Sequence, residues 1–283
     1  MNIKIVCDSS SNVFQLEGVN YTSVPMKIIA GSREFVDTAE LDLKGMVEYL
    51  REFKSKSGSS CPNVQVWLDA FGDADVVIGV TITKNLSGSY NAAQQAAATY
   101  MEENPGKKAY IFDSLSAGPE LMLIVEKILA LANAGCDFDG IVSQVLDYHN
   151  HCHTIFCLQS LTNLARNGRV NPAVAKIAGM LGIRMVGVAV GGTIVPIHKP
   201  RGEKKAMQAL LNMMVEKGIY DGALVRIAHC FGEQQANALK ELVLAKYPNC
   251  RFVIEPTTAL CSFYAEAGGL MIAIEAGLHP AKY

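Results

Sequence analysis

The stretch Asn85-Leu-Ser-Gly-Ser-Tyr90 joins VVIGVTI, which reads as a buried strand, to AAQQAAATYM, which reads as a helix. A Ser-Gly-Ser at such a junction offers hydroxyls and backbone N–H groups that have no helical acceptor. That chemistry suits a phosphate, an acyl group under attack by serine, or a carboxylate. Helix capping by serine is the plainer reading of the fragment alone. The G-x-S-x-G elbow of serine hydrolases is missing here, as are the Walker loop and the G-x-G-x-x-G dinucleotide fingerprint.

Five other clusters carry reactive or binding side chains. Gly58-Ser-Ser-Cys-Pro62 combines hydroxyls with small residues and can grip an anion or simply form a solvated turn. His149-Asn-His-Cys-His153, with Cys157 beyond, has ligand-type residues at a spacing of two. That spacing does not gather them on one helix face, so the segment reads as a polar helix terminus rather than a zinc site. Lys199, Arg201, Lys204 and Lys205 form a basic entry to a helix, either a solvated patch or a dock for an acidic partner. Arg169 follows Asn167-Gly168, where glycine suits a left-handed helix end, and it can face a carboxylate or a structural partner. His229 closes the run ALVRIAH, where a packed core histidine is the commoner outcome.

The elements that must position these residues alternate in type. Strands over 3–7, 76–82 and 108–114 are followed by the polar groups Asp8-Ser9, Ser87-Gly88 and Asp113-Ser114. Helices are predicted over 43–56, from Pro62 through Phe71, to about Glu103, and over 119–134 and 138–149. Strands alternating with such helices imply a parallel sheet whose ligands collect at the carboxyl ends of the strands. VPMKIIAG and REFVD read as a hairpin around Gly31-Ser32. Beyond residue 155 the pattern changes. A strand over 154–160 leads to a short helix ending at Asn167-Gly168 and a helix across 172–181. RMVGVAV and TIVPIHK then flank Gly191-Gly192, a two-residue hairpin signal that demands antiparallel pairing. Helices 203–217 and 233–246 alternate with strands ALVRIAHC, RFVIEP and GLMIAIE. The fold class is therefore α/β in two domains. Residues 1–155 form a Rossmann-like parallel sheet with helices on both faces, and residues 156–283 a mixed, partly antiparallel sheet with helices.

Composition excludes several functions. The chain has 283 residues, half of them hydrophobic, and a net charge of −2, which argues against a nucleic-acid binder. The N-terminus lacks a signal-peptide pattern, and no apolar run is long enough to span a bilayer, so the expected location is the cytoplasm. The eight cysteines form no CxxC pair and are expected to be free thiols.

In order, these motifs resemble those of the DegV family of bacterial fatty-acid-binding proteins. Asp8-Ser-Ser-Ser-Asn12 is similar to the family's opening Asp-Ser-Thr/Ser. Ser59-Ser-Cys-Pro62 is similar to Thr-Ser-Gln-Pro, and Leu86-Ser-Gly-Ser-Tyr90 to Leu-Ser-Gly-Thr-Tyr. Asp113-Ser114, Leu164 to Arg169, Lys199-Pro-Arg201 and Ile227-Ala-His229 complete the series. The resemblance implies two α/β lobes with a ligand in the crevice between them. It also implies a carrier, not itself an enzyme, that holds a long-chain fatty acid such as palmitate in an apolar tunnel. Such a carrier presents the carboxylate to a separate ATP-dependent fatty-acid kinase subunit, with no metal or other cofactor. The implied carboxylate ligands are Ser59, Ser60, Ser87, Gly88, Arg169 and Tyr264, and the implied docking residues Arg201, Lys204 and Lys205. Leu121, Met122, Met180, Leu181 and Met271 can line the tail's channel, or be ordinary core.

The chain departs from the family where His-Thr-Gly-Pro-Gly is expected. Tyr264-Ala-Glu-Ala-Gly268 stands there instead, and Cys61 replaces the family's Gln. A phenol donates a hydrogen bond but carries no imidazolium charge, and Glu266 would repel a carboxylate if it faced one. The alternative function is an enzyme acting on a small anionic substrate, a hydrolase or phosphoryl-transfer module. It would need Asp8, Asp113 or His229 as a base beside Ser87.

Overall fold

The computed structural model describes residues 3–178 and 180–277. They gather into two compact units: the chain up to His149 together with Thr258–Leu260, and Asn150–Thr257 with the chain from Cys261 onward.

In the first unit, β1 (Ile3–Asp8) runs into a single 3-10 turn, Ser9–Ser11. There follow β2 (Tyr21–Val24), β3 (Lys27–Ala30), β4 (Arg33–Val36), α1 (Leu43–Glu52), β5 (Ser57–Ser60) and α2 (Val64–Phe71). The unit continues with β6 (Val76–Thr81), α3 (Ser89–Glu103), β7 (Lys108–Asp113), α4 (Pro119–Asn133) and α5 (Phe138–His149). The main sheet has the order β2-β1-β6-β7, with every pairing parallel. Alternate residues of its strands feed two separate cores. Ile5, Cys7, Ile78 and Val80 pack with α4 and α5, whereas Val6 and Val77 pack with Trp67, Phe71 and the alanine face of α3. Helices therefore cover both faces, as near-continuous apolar strands require.

A second, antiparallel sheet in this unit has the order β4-β3-β5. Its third strand corrects the sequence reading, which made Gly58-Ser-Ser a loop. Glycine and serine have low strand propensity, and only the pairing Ile28↔Ser59 and Lys27↔Ser60 makes the segment extended. Two helix boundaries also differ. α1 stops at Glu52 because Phe53 turns extended, its ring stacked on Tyr49 at 5.6 Å. Pro62 lies outside α2, whose cap is Asn63, with its side chain accepting from Val66 N at 3.0 Å.

The second unit holds β8 (Cys152–Leu158), α6 (Thr162–Arg166), α7 (Pro172–Ala178), β9 (Met185–Val190), β10 (Thr193–His198) and α8 (Glu203–Glu216). After these come β11 (Leu224–His229), α9 (Glu233–Leu244), β12 (Arg251–Pro256), α10 (Ala259–Ala265), whose first two residues count with the first unit, and β13 (Leu270–Glu275). The helix expected across 172–181 is present only as α7, since Met180 and Leu181 are not helical; Gly179 lies outside the described residues. The sheet order is β10-β9-β8-β13-β11-β12, with β11 and β12 parallel and the remaining pairs antiparallel. Gly191 and Gly192 have φ of 53° and 80°, as a two-residue hairpin turn requires. α8 and α9 cover one face through Met207, Leu210, Met214, Ala236 and Leu239. Among the described residues, no helix is long and apolar enough to cross a membrane.

Candidate functional site

β1, β6 and β7 end together, so their following loops share one edge of the parallel sheet. The loop after β6 is tightly bonded. Leu86 N and Ser87 N donate to Thr83 O at 3.1 and 3.2 Å, and Thr83 N donates to Ser116 O at 2.8 Å. The helix that follows, α3, has Gly88 as its N-cap, with no side-chain cap and no acid in its first turn. Ser87 Oγ accepts from Ser89 N at 3.2 Å, which leaves the Ser87 hydroxyl proton available to an acceptor. Beyond that bond, the fifteen-residue helix opens with no acid in its first turn and with the positive end of its dipole.

The end of β5 reaches this junction. A Cβ on Gly88 would lie 3.1 Å from Cys61 Sγ. Gly88 and Cys61 are exposed, and Ser59, Ser60 and Ser87 are half-buried. Close approach of Cys61 gives Gly88 a reason to lack a side chain.

Behind the junction lies a fully enclosed polar cluster that sequence reasoning did not assemble. Asp8 accepts from Ser10 Oγ, from Ser89 Oγ at 2.7 Å and from Ile82 N at 3.0 Å. Burial pushes its pKa above the ordinary carboxylate range, and those hydrogen bonds pull it part of the way back. Ser9 Oγ donates to Asp37 at 2.8 Å and accepts from Met26 N at 3.0 Å. Asp37 also accepts from Thr258 Oγ1 and from the backbone N–H groups of Ala259 and Leu260. Its pKa is raised for the same reason, desolvation first. Ser89 and Asp37 escaped the sequence reading because their partners lie 81 and more than 200 residues away.

The other candidates resolve within their own units. Asp113 Oδ1 takes Lys84 N and Leu115 N, a turn-forming role. His149 Nε2 lies 2.7 Å from Ser114 O and 3.4 Å from Glu120 Oε1. Burial alone would lower its pKa, but Glu120 and the Ser114 carbonyl raise it above the usual value. Among the described residues, no group of three or more His, Cys, Asp or Glu is arranged to hold a metal. Among the described residues, no cysteine is in a disulfide. Leu121 and Met122 lie inside the core, Met271 is partly buried, and Met180 and Leu181 are 58% and 88% exposed.

In the second unit, Gly168 has φ 74°, with Gly168 N bonded to Ala165 O and Arg169 N to Leu164 O. That is a Schellman end to α6. It directs Arg169 over the ring of Tyr264, with the guanidinium carbon 5.7 Å from the centroid. Glu266 Oε1 accepts from Ser160 Oγ at 2.9 Å and Asn163 N at 3.1 Å, so this carboxylate is engaged in capping α6. His229 is buried, which pushes its pKa down, and its Nδ1 has no hydrogen-bond partner among the described residues. Lys199, Arg201, Lys204 and Lys205 are all exposed.

A family model described as an uncharacterised protein of the DegV family matches residues 2–276. A DegV domain-containing protein of Streptococcus gordonii is 38% identical over 282 residues, 98% of this chain and 100% of that protein. Two solved structures superpose with a TM-score of 0.95. One is a DegV family protein of Eubacterium eligens loaded with heptadecanoic acid, 36% identical, covering 97% of this chain and all of that one. The other is the Fatty Acid Kinase (Fak) B3 protein of Streptococcus pneumoniae loaded with linoleic acid, 38% identical, covering 98% of this chain and all of that one. A family match over nearly the whole chain and 38% identity over 98% of it agree, and the chain belongs to the DegV family.

Proposed function

We propose that this protein binds one long-chain fatty acid, such as palmitate, and presents its carboxylate to a separate ATP-dependent fatty-acid kinase subunit in the cytoplasm. The observation that carries the reading is the open N-terminus of α3. It has no acid in its first turn and no side-chain cap from Gly88, and both the Ser87 hydroxyl and Cys61, the residue that follows β5, lie beside it. Ser59, Ser60, Ser87 and Gly88 form the seat for the carboxylate. Arg169 is assigned to the head group by its Gly-Arg motif, and Tyr264 by its position where the family has His. The relatives loaded with heptadecanoic and linoleic acids support this ligand class.

The tail supplies most of the affinity. Burying about fourteen CH₂ groups at roughly 0.8 kcal/mol each gives about 11 kcal/mol gross, and lost freedom on binding offsets several kcal/mol of it. The head-group bonds fix direction and add about 1–3 kcal/mol. We assign partner docking to Arg201, Lys204 and Lys205. Lys204 and Lys205 sit in the first turn of α8, the end of a helix where cations are disfavoured. An acidic surface on the kinase would relieve that.

A carrier role without turnover fits the surroundings of Ser87. Asp8 is enclosed and Asp113 is engaged by backbone donors, so neither is a free base. Ser87→Ala is expected to weaken binding of hexadecanoic acid about tenfold in a direct titration, one lost bond to a charged acceptor. Unchanged affinity would remove Ser87 from the seat.

A further inference from the structure

From the bonding of the loop between β6 and α3, we infer that Asp8 is a positioning residue for the carboxylate seat. Its single oxygen Oδ2 fastens both ends of the loop that carries Ser87 and Gly88. The inference rests on the fatty-acid reading given above. Oδ2 accepts from Ile82 N, the first residue after β6, at 3.0 Å, and from Ser89 Oγ, the first residue of α3, at 2.7 Å. Oδ1 is occupied by Ser10 Oγ, which fixes the rotation of the carboxylate. Asp8 and Ser89 are both fully buried, so neither can touch a ligand that approaches the exposed Gly88.

Between the two anchors the loop closes on itself through Thr83 O, which accepts from Leu86 N and Ser87 N. Thr83 N to Ser116 O and Lys84 N to Asp113 Oδ1 tie the loop to the segment at and after the end of β7, and the two Asp8 bonds tie it to β1 at both ends. Charge-assisted hydrogen bonds in a water-free setting are the strong kind. Holding the Ser87 hydroxyl and the Gly88 N–H in the geometry a carboxylate needs is what such bonds accomplish. The acyl tail makes no demand on that geometry. The pin therefore acts on the acid group alone.

Two variants separate position from charge. Ser89→Ala removes one anchor and leaves the Asp8 charge in place. Asp8→Asn loosens the loop while deleting a negative charge, and by Coulomb's law alone that deletion would strengthen binding of an anion. The probes are hexadecanoic acid and hexadecanol, which share a tail and differ in the head group, titrated against folded protein. Wild type is expected to prefer the acid. Ser89→Ala is expected to lose about tenfold in acid affinity and less than twofold in alcohol affinity, and Asp8→Asn to weaken acid binding in the same selective way. Equal losses for both probes, unchanged acid affinity in Ser89→Ala, or tighter acid binding in Asp8→Asn would each overturn the pin. Should Asp8→Asn fail to fold, Ser89→Ala carries the test. If wild type itself binds both probes equally, the carboxylate seat is wrong and the pin falls with it.

Discussion

Asp37→Ala is expected to destabilise the protein by about 3 kcal/mol, by the loss of a buried acceptor for four donors. Asp37 is 1% exposed, and it takes Ser9 Oγ, Thr258 Oγ1, Ala259 N and Leu260 N. Thr258 Oγ1 has a second acceptor in Ser9 O, so part of the loss is recoverable. The N–H groups of Ala259 and Leu260 have no such choice, and each unsatisfied buried donor costs about 1–3 kcal/mol. Removing the carboxylate also removes its own desolvation, visible in its raised pKa, which offsets some of that cost. Thermal unfolding should show a midpoint lower by roughly 6–10 °C. Asp37→Asn, which keeps one acceptor oxygen, should lose about half as much. A midpoint unchanged in Asp37→Ala would mean that Ala259 and Leu260 find other partners.

Gly187→Ala is the second change with a large expected effect. Gly187 lies in the middle of β9, paired with Phe156 on one side and Pro196 on the other. A Cβ there would sit 2.3 Å from the carbonyl oxygen of Val195, 2.8 Å from Pro196 Cα and 2.5 Å from the Phe156 ring. Two of those atoms are backbone, so β10 itself must move. Overpacking that side chains can absorb costs about 1–3 kcal/mol, and displacing a strand puts this change at the top of that range or beyond. β10 is an edge strand with a register shift between Pro196 and His198, so it is the element that yields. Chemical denaturation should register the loss, and amide exchange should locate it in β9 and β10. Gly79→Ala is the control. Its Cβ would meet only the tip of Ile111, at 2.5 Å, which can rotate away. Comparable losses from the two variants would show that backbone proximity is not the deciding factor.

Local signals made most elements legible. The period-two and continuous apolar runs marked β1, β6, β7, β8 and β9. Gly191-Gly192 dictated the hairpin, and Gly168 dictated the end of α6. What stayed hidden depends on distant residues. β5 is a strand only because β3 pairs with it, and its Ser-Gly-Ser-Ser carries no strand signal of its own. β2 and α10 were not anticipated. β2 is short and gains its partner through the register Ile5↔Tyr21. The first N–H groups of α10 are satisfied by Asp37, more than two hundred residues earlier, in place of a local cap. At the site, Ser87 and Gly88 stood out because a strand-to-helix junction announces itself. Ser89 sits two residues further on and looks like any helix serine until Asp8 is seen beside it. Glu266 shows the converse. Its charge suggested repulsion of a carboxylate, yet Oε1 accepts from Ser160 Oγ, just before α6, and from Asn163 N in its first turn.

The most direct measurement is native mass spectrometry of the protein purified from cells, followed by denaturation and identification of whatever small molecule is released. One long-chain fatty acid per chain is the expected result, exchangeable for added hexadecanoic acid. A chain that arrives without a lipid and takes up none when fatty acid is supplied would contradict the carrier function.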